Sequence, residues 1–142
     1  MDTSGDTSGF KSWIRKAILV GVAYFVVGFV FALPSSHARA WRLAAWAVSG
    51  AVYAAHIGYE YFRLNNSPRA IALHASLAAA LGAFLLAVAA TVHAVMVPSH
   101  APYWLFLVAL VVWPIITAVP AFLVALTATA VLDRLPTKRL TE

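Results

Sequence analysis

Two histidines and one glutamate stand out because they lie in or beside segments that are otherwise apolar. His56 and Glu60 are four residues apart, and a helix places such residues on one face, one turn apart. His74 follows after the short polar connection RLNNSPRA. His56 precedes Arg63 by seven residues, about 10 Å of helix, and His74 follows Arg69 by five residues, roughly 7–8 Å. We therefore expect His56 and His74 to lie at comparable depth and to approach each other, with Glu60 one turn nearer the connection.

Several kinds of chemistry fit these residue types. Two imidazoles and a carboxylate suit Zn, Fe or Mn with open coordination positions. His56 and His74, on two helices, suit the axial ligation of haem b. His56 and Glu60 suit proton exchange with the inner face, because histidine changes charge near neutral pH and burial shifts both groups. The structural interpretation is a hydrogen-bonded pair of His56 and Glu60, with His74 in no specific contact.

Polar and basic residues follow one face of the segment that contains His56. They recur in alternating steps of four and three, which places them on one side of a helix. This polar stripe consists of Arg42, Trp46, Ser49, Tyr53, His56, Glu60 and Arg63. Charged residues at the centre of a bilayer cost at least ~2.5–3.5 kcal/mol each on insertion scales. We therefore expect the stripe to face the bundle interior or a partner, and we include Ser49 and Tyr53 in the candidate site.

A second histidine group lies at the opposite ends of the apolar segments. His93 is near the end of the third segment, and His37 and His100 lie in the similar connections PSSHARAW and PSHAPYW. Three imidazoles suit Zn or Cu, and the alternative is that they are solvated at the headgroups. His74 and His93 are 19 residues apart, roughly 28 Å of helix, so they cannot share one site.

The composition indicates a membrane protein. Hydrophobic residues make up 63% of the 142 residues and charged residues 11%, against roughly 45–50% and about 25% in soluble domains. Crossing a hydrocarbon core takes roughly 20 mostly apolar residues in a helix. We predict an all-α integral membrane protein, a four-helix transmembrane bundle of two hairpins. Its helices are expected at residues 17–33, 43–62, 70–97 and 104–132.

The distribution of basic residues predicts the orientation. Residues 1–12 are expected to form a disordered polar cytoplasmic tail, residues 13–135 the single transmembrane domain, and residues 136–142 a basic tail. With both termini inside, the basic cytoplasmic residues are Lys11, Arg15, Lys16, Arg63, Arg69, Arg134, Lys138 and Arg139. Only Arg39 and Arg42 lie outside, as the positive-inside rule requires. We expect a multi-pass protein of the bacterial cytoplasmic membrane.

The N-terminal segment has a second interpretation. Ala38-Arg39-Ala40 follows a basic region and an apolar run, as in a signal peptide with its cleavage site. The run of residues 17–33 is longer than the usual signal-peptide core of about 7–15 residues. We therefore expect the first helix to be retained.

Small residues predict where the helices pack. Lipid provides no hydrophobic drive for helix association, so close approach at small side chains matters more. The second helix has Gly50, Ala54 and Gly58 at steps of four. Comparable positions in the third and fourth helices are Ala79, Ala83, Ala121 and Ala125. Pro114 and Pro120 are expected to kink the fourth helix.

The sequence leaves three functions open. There is no cysteine, which excludes thiolate nucleophiles and iron–sulfur clusters, and no catalytic motif is found, so we expect no enzyme. The spread of the net charge of +5 over the helix flanks argues against nucleic acid as a partner. The leading hypothesis is a non-catalytic accessory or complex subunit without a cofactor, in contact with lipid and forming a homo-oligomer or part of a larger membrane complex. The alternatives are a redox protein that binds haem b or a divalent metal through His56 and His74, and a small proton-coupled transporter that uses His56 and Glu60.

Overall fold

The chain folds into four helices. The computed structural model describes residues 6–32, 38–97 and 102–135. The helices are α1 (Asp6–Ala32), α2 (Ala38–Phe62), α3 (Pro68–Met96) and α4 (Tyr103–Arg134). The described residues are 93% helical and contain no strand, which confirms the all-α prediction for this part of the chain. α1 begins at Asp6, so it includes residues from the segment expected to be a disordered tail.

A short connection joins α2 to α3 and sets their relative position. Asn65 has a φ of 49°, a backbone conformation that asparagine tolerates better than most residues. Ser67 caps α3, because its hydroxyl accepts the N–H of Ala70 at 3.4 Å, and Pro68 is the first helical residue, where the missing N–H costs nothing. This turn places the C-terminal end of α2 beside the N-terminal end of α3.

α3 lies at the centre of the packing. It packs along most of α4 and also against α1, whereas α2 packs on α1 and touches α3 and α4. The buried part of α2 is its C-terminal half, where Ile57 joins Ile71, Ala72 and Ala75 of α3 and Ala125 of α4 in one hydrophobic cluster. The best-packed region of α2 is therefore the end that carries His56 and Glu60.

Glycines allow α1 and α3 to approach closely. A Cβ on Gly82 would lie 2.6 Å from Cβ of Tyr24 and 3.2 Å from the backbone oxygen of Gly21. A Cβ on Gly21 would lie 2.7 Å from the side chain of Leu81. These contacts leave no room for a side chain, so the α1–α3 interface depends on glycine.

The small residues predicted for packing occupy different environments. Ala83 and Ala125 are buried, and Ala79 and Ala121 are half-buried. Gly50 and Gly58 have no atom within 4 Å of the place where a Cβ would be. Together with Ala54 they line an open groove of ≈ 900 Å³ between α2 and α4. Among the described residues, no helix packs directly on the Gly50 and Gly58 positions of α2.

Two helices are long and apolar enough to cross a membrane, by length and composition. The best 18-residue windows of α3 and α4 have mean hydropathies of 2.2 and 2.5. In the α3 window 33% of the residues are buried inside the protein, whereas no residue of the α4 window is buried. Pro114 and Pro120 both lie inside α4, which continues past them as one helix. Such an extensive exposed apolar surface is unusual in a soluble monomer.

Candidate functional site

The turn between α2 and α3 brings His56, Glu60 and His74 together. Nε2 of His56 lies 3.2 Å from Oε1 of Glu60. Nδ1 of His74 lies 2.9 Å from Oε2 and 3.0 Å from Oε1 of the same carboxylate. The interpretation in which His74 makes no specific contact is therefore wrong. We call these three residues the carboxylate cluster.

The carboxylate of Glu60 is buried and well supplied with donors. Glu60 is 2% exposed and His56 8%, while the side chain of His74 is 19% exposed. Asn66 adds a third donor, because its amide nitrogen lies 3.1 Å from Oε2 of Glu60. A carboxylate removed from water needs such hydrogen bonds to remain charged, and here the donors come from α2, the connecting turn and α3.

The bonding assigns the ring hydrogens of the cluster. An ionised carboxylate only accepts hydrogen bonds, so Nε2 of His56 and Nδ1 of His74 each carry a hydrogen that they donate to Glu60. The other ring nitrogen of His56, Nδ1, is buried and has no hydrogen-bond partner among the described residues. The cluster therefore combines one carboxylate, two imidazoles and one unsatisfied buried acceptor.

Two tyrosines of α2 serve its packing on α4. The hydroxyl of Tyr53 donates a hydrogen bond to the backbone oxygen of Ala121, and the hydroxyl of Tyr61 donates to Oδ1 of Asp133 at 2.7 Å. Tyr53 is seven residues from Glu60, about 10 Å along the helix. Ser49 is one further turn away and half-buried. Tyr53 and Ser49 therefore lie outside the carboxylate cluster.

A pocket of ≈ 420 Å³ between α1 and α2 reaches the cluster. His56 and Glu60 line it from α2, together with Tyr59. Lys16 lines it from α1, with its Nζ 5.6 Å from the ring centroid of Tyr59, within the range of a cation–π contact. Nothing in the sequence connects Lys16 with Glu60, because only the antiparallel packing of α1 and α2 brings them together.

The described residues give no support to the metal and haem hypotheses. Among them, no group of three or more His, Cys, Asp or Glu residues is arranged to hold a metal ion. In the carboxylate cluster the ring nitrogens nearest Glu60 bond its oxygens directly, so a metal or haem iron would have to use the opposite ring nitrogens, and this hypothesis stays a prediction. His93 is exposed, whereas His37 and His100 lie outside the described residues, and their predicted metal site stays a prediction.

Asn66, which bonds Glu60 from beside the carboxylate cluster, is a contact that the sequence did not reveal. The run Asn65-Asn66-Ser67-Pro68 is typical of a turn, and that is the signal available in the sequence. The backbone N–H of Asn66 also bonds the backbone oxygen of Glu60 at 3.4 Å, which holds its side chain over the carboxylate. The double contact follows from the path of the turn and not from residue type.

Comparison with known proteins suggests no function for the chain, so the functional argument rests on the geometry of the site. No family, curated protein or solved structure matches the chain.

Proposed function

We propose that the chain is a small proton-coupled membrane transporter, in which the carboxylate cluster takes up and releases the proton. The observation that carries this proposal is a 2% exposed carboxylate whose two oxygens lie within hydrogen-bond distance of imidazoles from two helices. Imidazole is the side chain whose charge ordinarily changes between pH 5 and 8. An ionisable residue inside a membrane segment is costly and usually marks an ion or proton path.

The proposed topology is a four-span bundle with both termini in the cytoplasm of a bacterium. It is supported by the apolar length of α3 and α4 and by the basic residues Arg15, Arg63, Arg69 and Arg134, which all lie at one end of the bundle. α2 is less apolar because it carries the polar stripe. The most buried polar members of the stripe, His56 and Glu60, belong to the carboxylate cluster. In this topology the cluster lies nearer the cytoplasmic face.

The charges around the cluster determine what one added proton changes. α1 contributes Lys16, which lines the same pocket as Glu60; α3 contributes His74; and α4 contributes Asp133, bonded to Tyr61. With both imidazoles neutral, the cluster carries one negative charge, and one proton removes it. Because a buried charge interacts strongly in a low dielectric, this change can alter the packing of α2 against α3.

Infrared difference spectroscopy tests whether the cluster binds protons. Purified wild-type protein in lipid is compared between pH 8 and pH 5, where a buried carboxylate–imidazole site is expected to produce paired changes in the carboxylate and imidazole bands. Asp133→Asn, which removes a carboxylate outside the cluster, is the control and should give the same changes as the wild type. Carboxylate bands unchanged over this range in both proteins would contradict the proposal.

The second candidate function is a non-catalytic membrane subunit that associates with a second copy of itself. It is favoured by the open groove between α2 and α4, where Gly50 and Gly58 meet no atom within 4 Å. The groove is lined almost entirely by apolar side chains, so its occupant must be an apolar helix. α4, whose apolar window has no buried residue, supplies such a helix in every copy.

Replacement of Gly58 by leucine tests this association. The new side chain fills the groove, and we expect it to weaken self-association by about tenfold or more, a loss of about 1.4 kcal/mol. The measurement is the oligomeric state in mild detergent and by cross-linking in membranes. Ala55→Leu, on the α1 side of the same helix, is the matched control and should associate as wild type. A wild-type protein that is monomeric in both assays would rule out this candidate.

A further inference from the structure

The pocket between α1 and α2 reaches the carboxylate cluster, whereas the α2–α4 groove does not. His56 and Glu60 are the two buried residues among those that line the pocket. No member of the carboxylate cluster lines the α2–α4 groove, which is crossed instead by the hydrogen bond from Tyr53 to Ala121. The α1–α2 pocket is therefore the opening that leads to the cluster.

The position of Lys16 shows where the pocket begins. Lys16 lies near the start of the apolar part of α1, and Tyr59 lies near the end of α2, at the same end of the antiparallel pair. Arg15 and Arg63 are exposed at this end, which is cytoplasmic in the proposed topology. From Lys16 the pocket extends along both helices past Glu60 to Leu19 and Val52, so the buried carboxylate lines the pocket close to the basic end of the bundle.

Its size and the charged or polar residues Lys16, His56 and Glu60 allow the pocket to hold water, although most of its lining is apolar. A volume of ≈ 420 Å³ holds on the order of ten water molecules at about 30 Å³ each. The ammonium group of Lys16 is strongly hydrated, and Glu60 offers further hydrogen-bonding atoms at the inner surface of the pocket. A cavity with polar partners of this kind fills with water, whereas an entirely apolar one stays dry.

We propose that the α1–α2 pocket is the aqueous path by which protons from the cytoplasmic face reach Glu60, so that its ligand is water carrying a proton. This inference rests on the proposed proton binding by the cluster. It adds the side from which the proton arrives and the helices between which it passes. Lys16, held near the Tyr59 ring, lies at the entrance of this path.

Two adjacent alanines allow a matched test of the path. Ala55 lines the α1–α2 pocket and Ala54 lines the α2–α4 groove, and both are exposed in the described structure. The chain has no cysteine, so Ala55→Cys and Ala54→Cys each introduce a single thiol of nearly the same size as the side chain it replaces. Val52→Cys and Gly50→Cys form a second pocket and groove pair.

The probe is a membrane-impermeant cationic methanethiosulfonate, applied to vesicles with either face outward. Only the thiolate reacts, and it forms in water but not in apolar surroundings, so we expect Ala55→Cys to react at least about tenfold faster than Ala54→Cys. The reaction should be faster when the reagent is on the cytoplasmic face. Equal rates for the two variants, or faster reaction from the opposite face, would overturn the proposed path.

This experiment separates the path from the proton site. Thiol accessibility does not depend on whether Glu60 binds a proton, whereas the infrared experiment does not depend on where water enters. Fast labelling of Ala55→Cys together with unchanged carboxylate bands would mean that the pocket is wet and the proposed function is wrong. Titrating carboxylate bands together with equal labelling would mean that the proton reaches Glu60 by another path.

Discussion

Replacement of Glu60 by glutamine is expected to remove about one bound proton per chain at pH 5 relative to pH 8. The amide cannot take up a proton in this range, and His56 and His74 lose the carboxylate that accepts their hydrogen bonds. The measurement is the number of protons that purified protein takes up in a pH jump, counted with a soluble dye. The carboxylate bands of the infrared difference spectrum should disappear in the same variant.

The glutamine variant should keep the fold. Glutamine has the same shape as glutamate and still offers one oxygen to His56, 3.2 Å away in the wild type. His74 can change tautomer to accept from the new amide, and Asn66 can rotate its amide to present oxygen in place of nitrogen. Helix content and thermal unfolding in detergent should therefore remain near those of the wild type.

A second carboxylate provides the control for this prediction. Asp133 is exposed and bonds Tyr61 on the α4 side, so Asp133→Asn makes the same chemical change away from the cluster. We expect it to take up as many protons as wild type between pH 8 and pH 5, because it leaves the carboxylate cluster intact. If Glu60→Gln also took up as many protons as the wild type, the cluster would be a structural contact and not a proton site.

Replacement of Gly82 by alanine is expected to lower the free energy of unfolding by about 1–3 kcal/mol, the usual cost of overpacking. The new Cβ would lie 2.6 Å from Cβ of Tyr24 and 3.2 Å from the backbone oxygen of Gly21. Neither atom is the flexible end of a side chain, so α1 and α3 must separate. Unfolding by heat or denaturant in detergent, followed by helix content, measures the loss.

Gly50→Ala is the matched control for this prediction. Gly50 is also a glycine inside a helix, but no atom lies within 4 Å of its added Cβ. The substitution should be neutral or raise the free energy of unfolding by up to about 1 kcal/mol, because alanine is the better helix former. Equal destabilisation by the two substitutions would show that the close approach of α1 and α3 does not limit stability.

The spacing of small residues does not distinguish a glycine at a tight contact, such as Gly82, from a glycine at an open groove, such as Gly50. Gly50, Ala54 and Gly58 have the regular spacing typical of a packing ridge, yet they line an open groove. Gly21 and Gly82 each have one small residue at a step of four, Ala17 and Ala78, and they lie at the tight α1–α3 contact. Spacing shows which helix faces permit close approach, but the face that a neighbour uses depends on the packing of all four helices.

Local periodicity determined what the sequence could predict about this protein. The apolar runs predicted four helices, and the separation of four residues predicted that His56 and Glu60 share a face, because both features depend only on contacts within a turn or two of helix. The tertiary structure decided the rest. His74 bonds Glu60 across fourteen residues and Asn66 closes over the same carboxylate, because the α2–α3 turn reverses the chain at that point. Lys16 reaches the pocket beside Glu60 because α1 packs antiparallel to α2, and residue spacing along one chain does not specify which helices become neighbours.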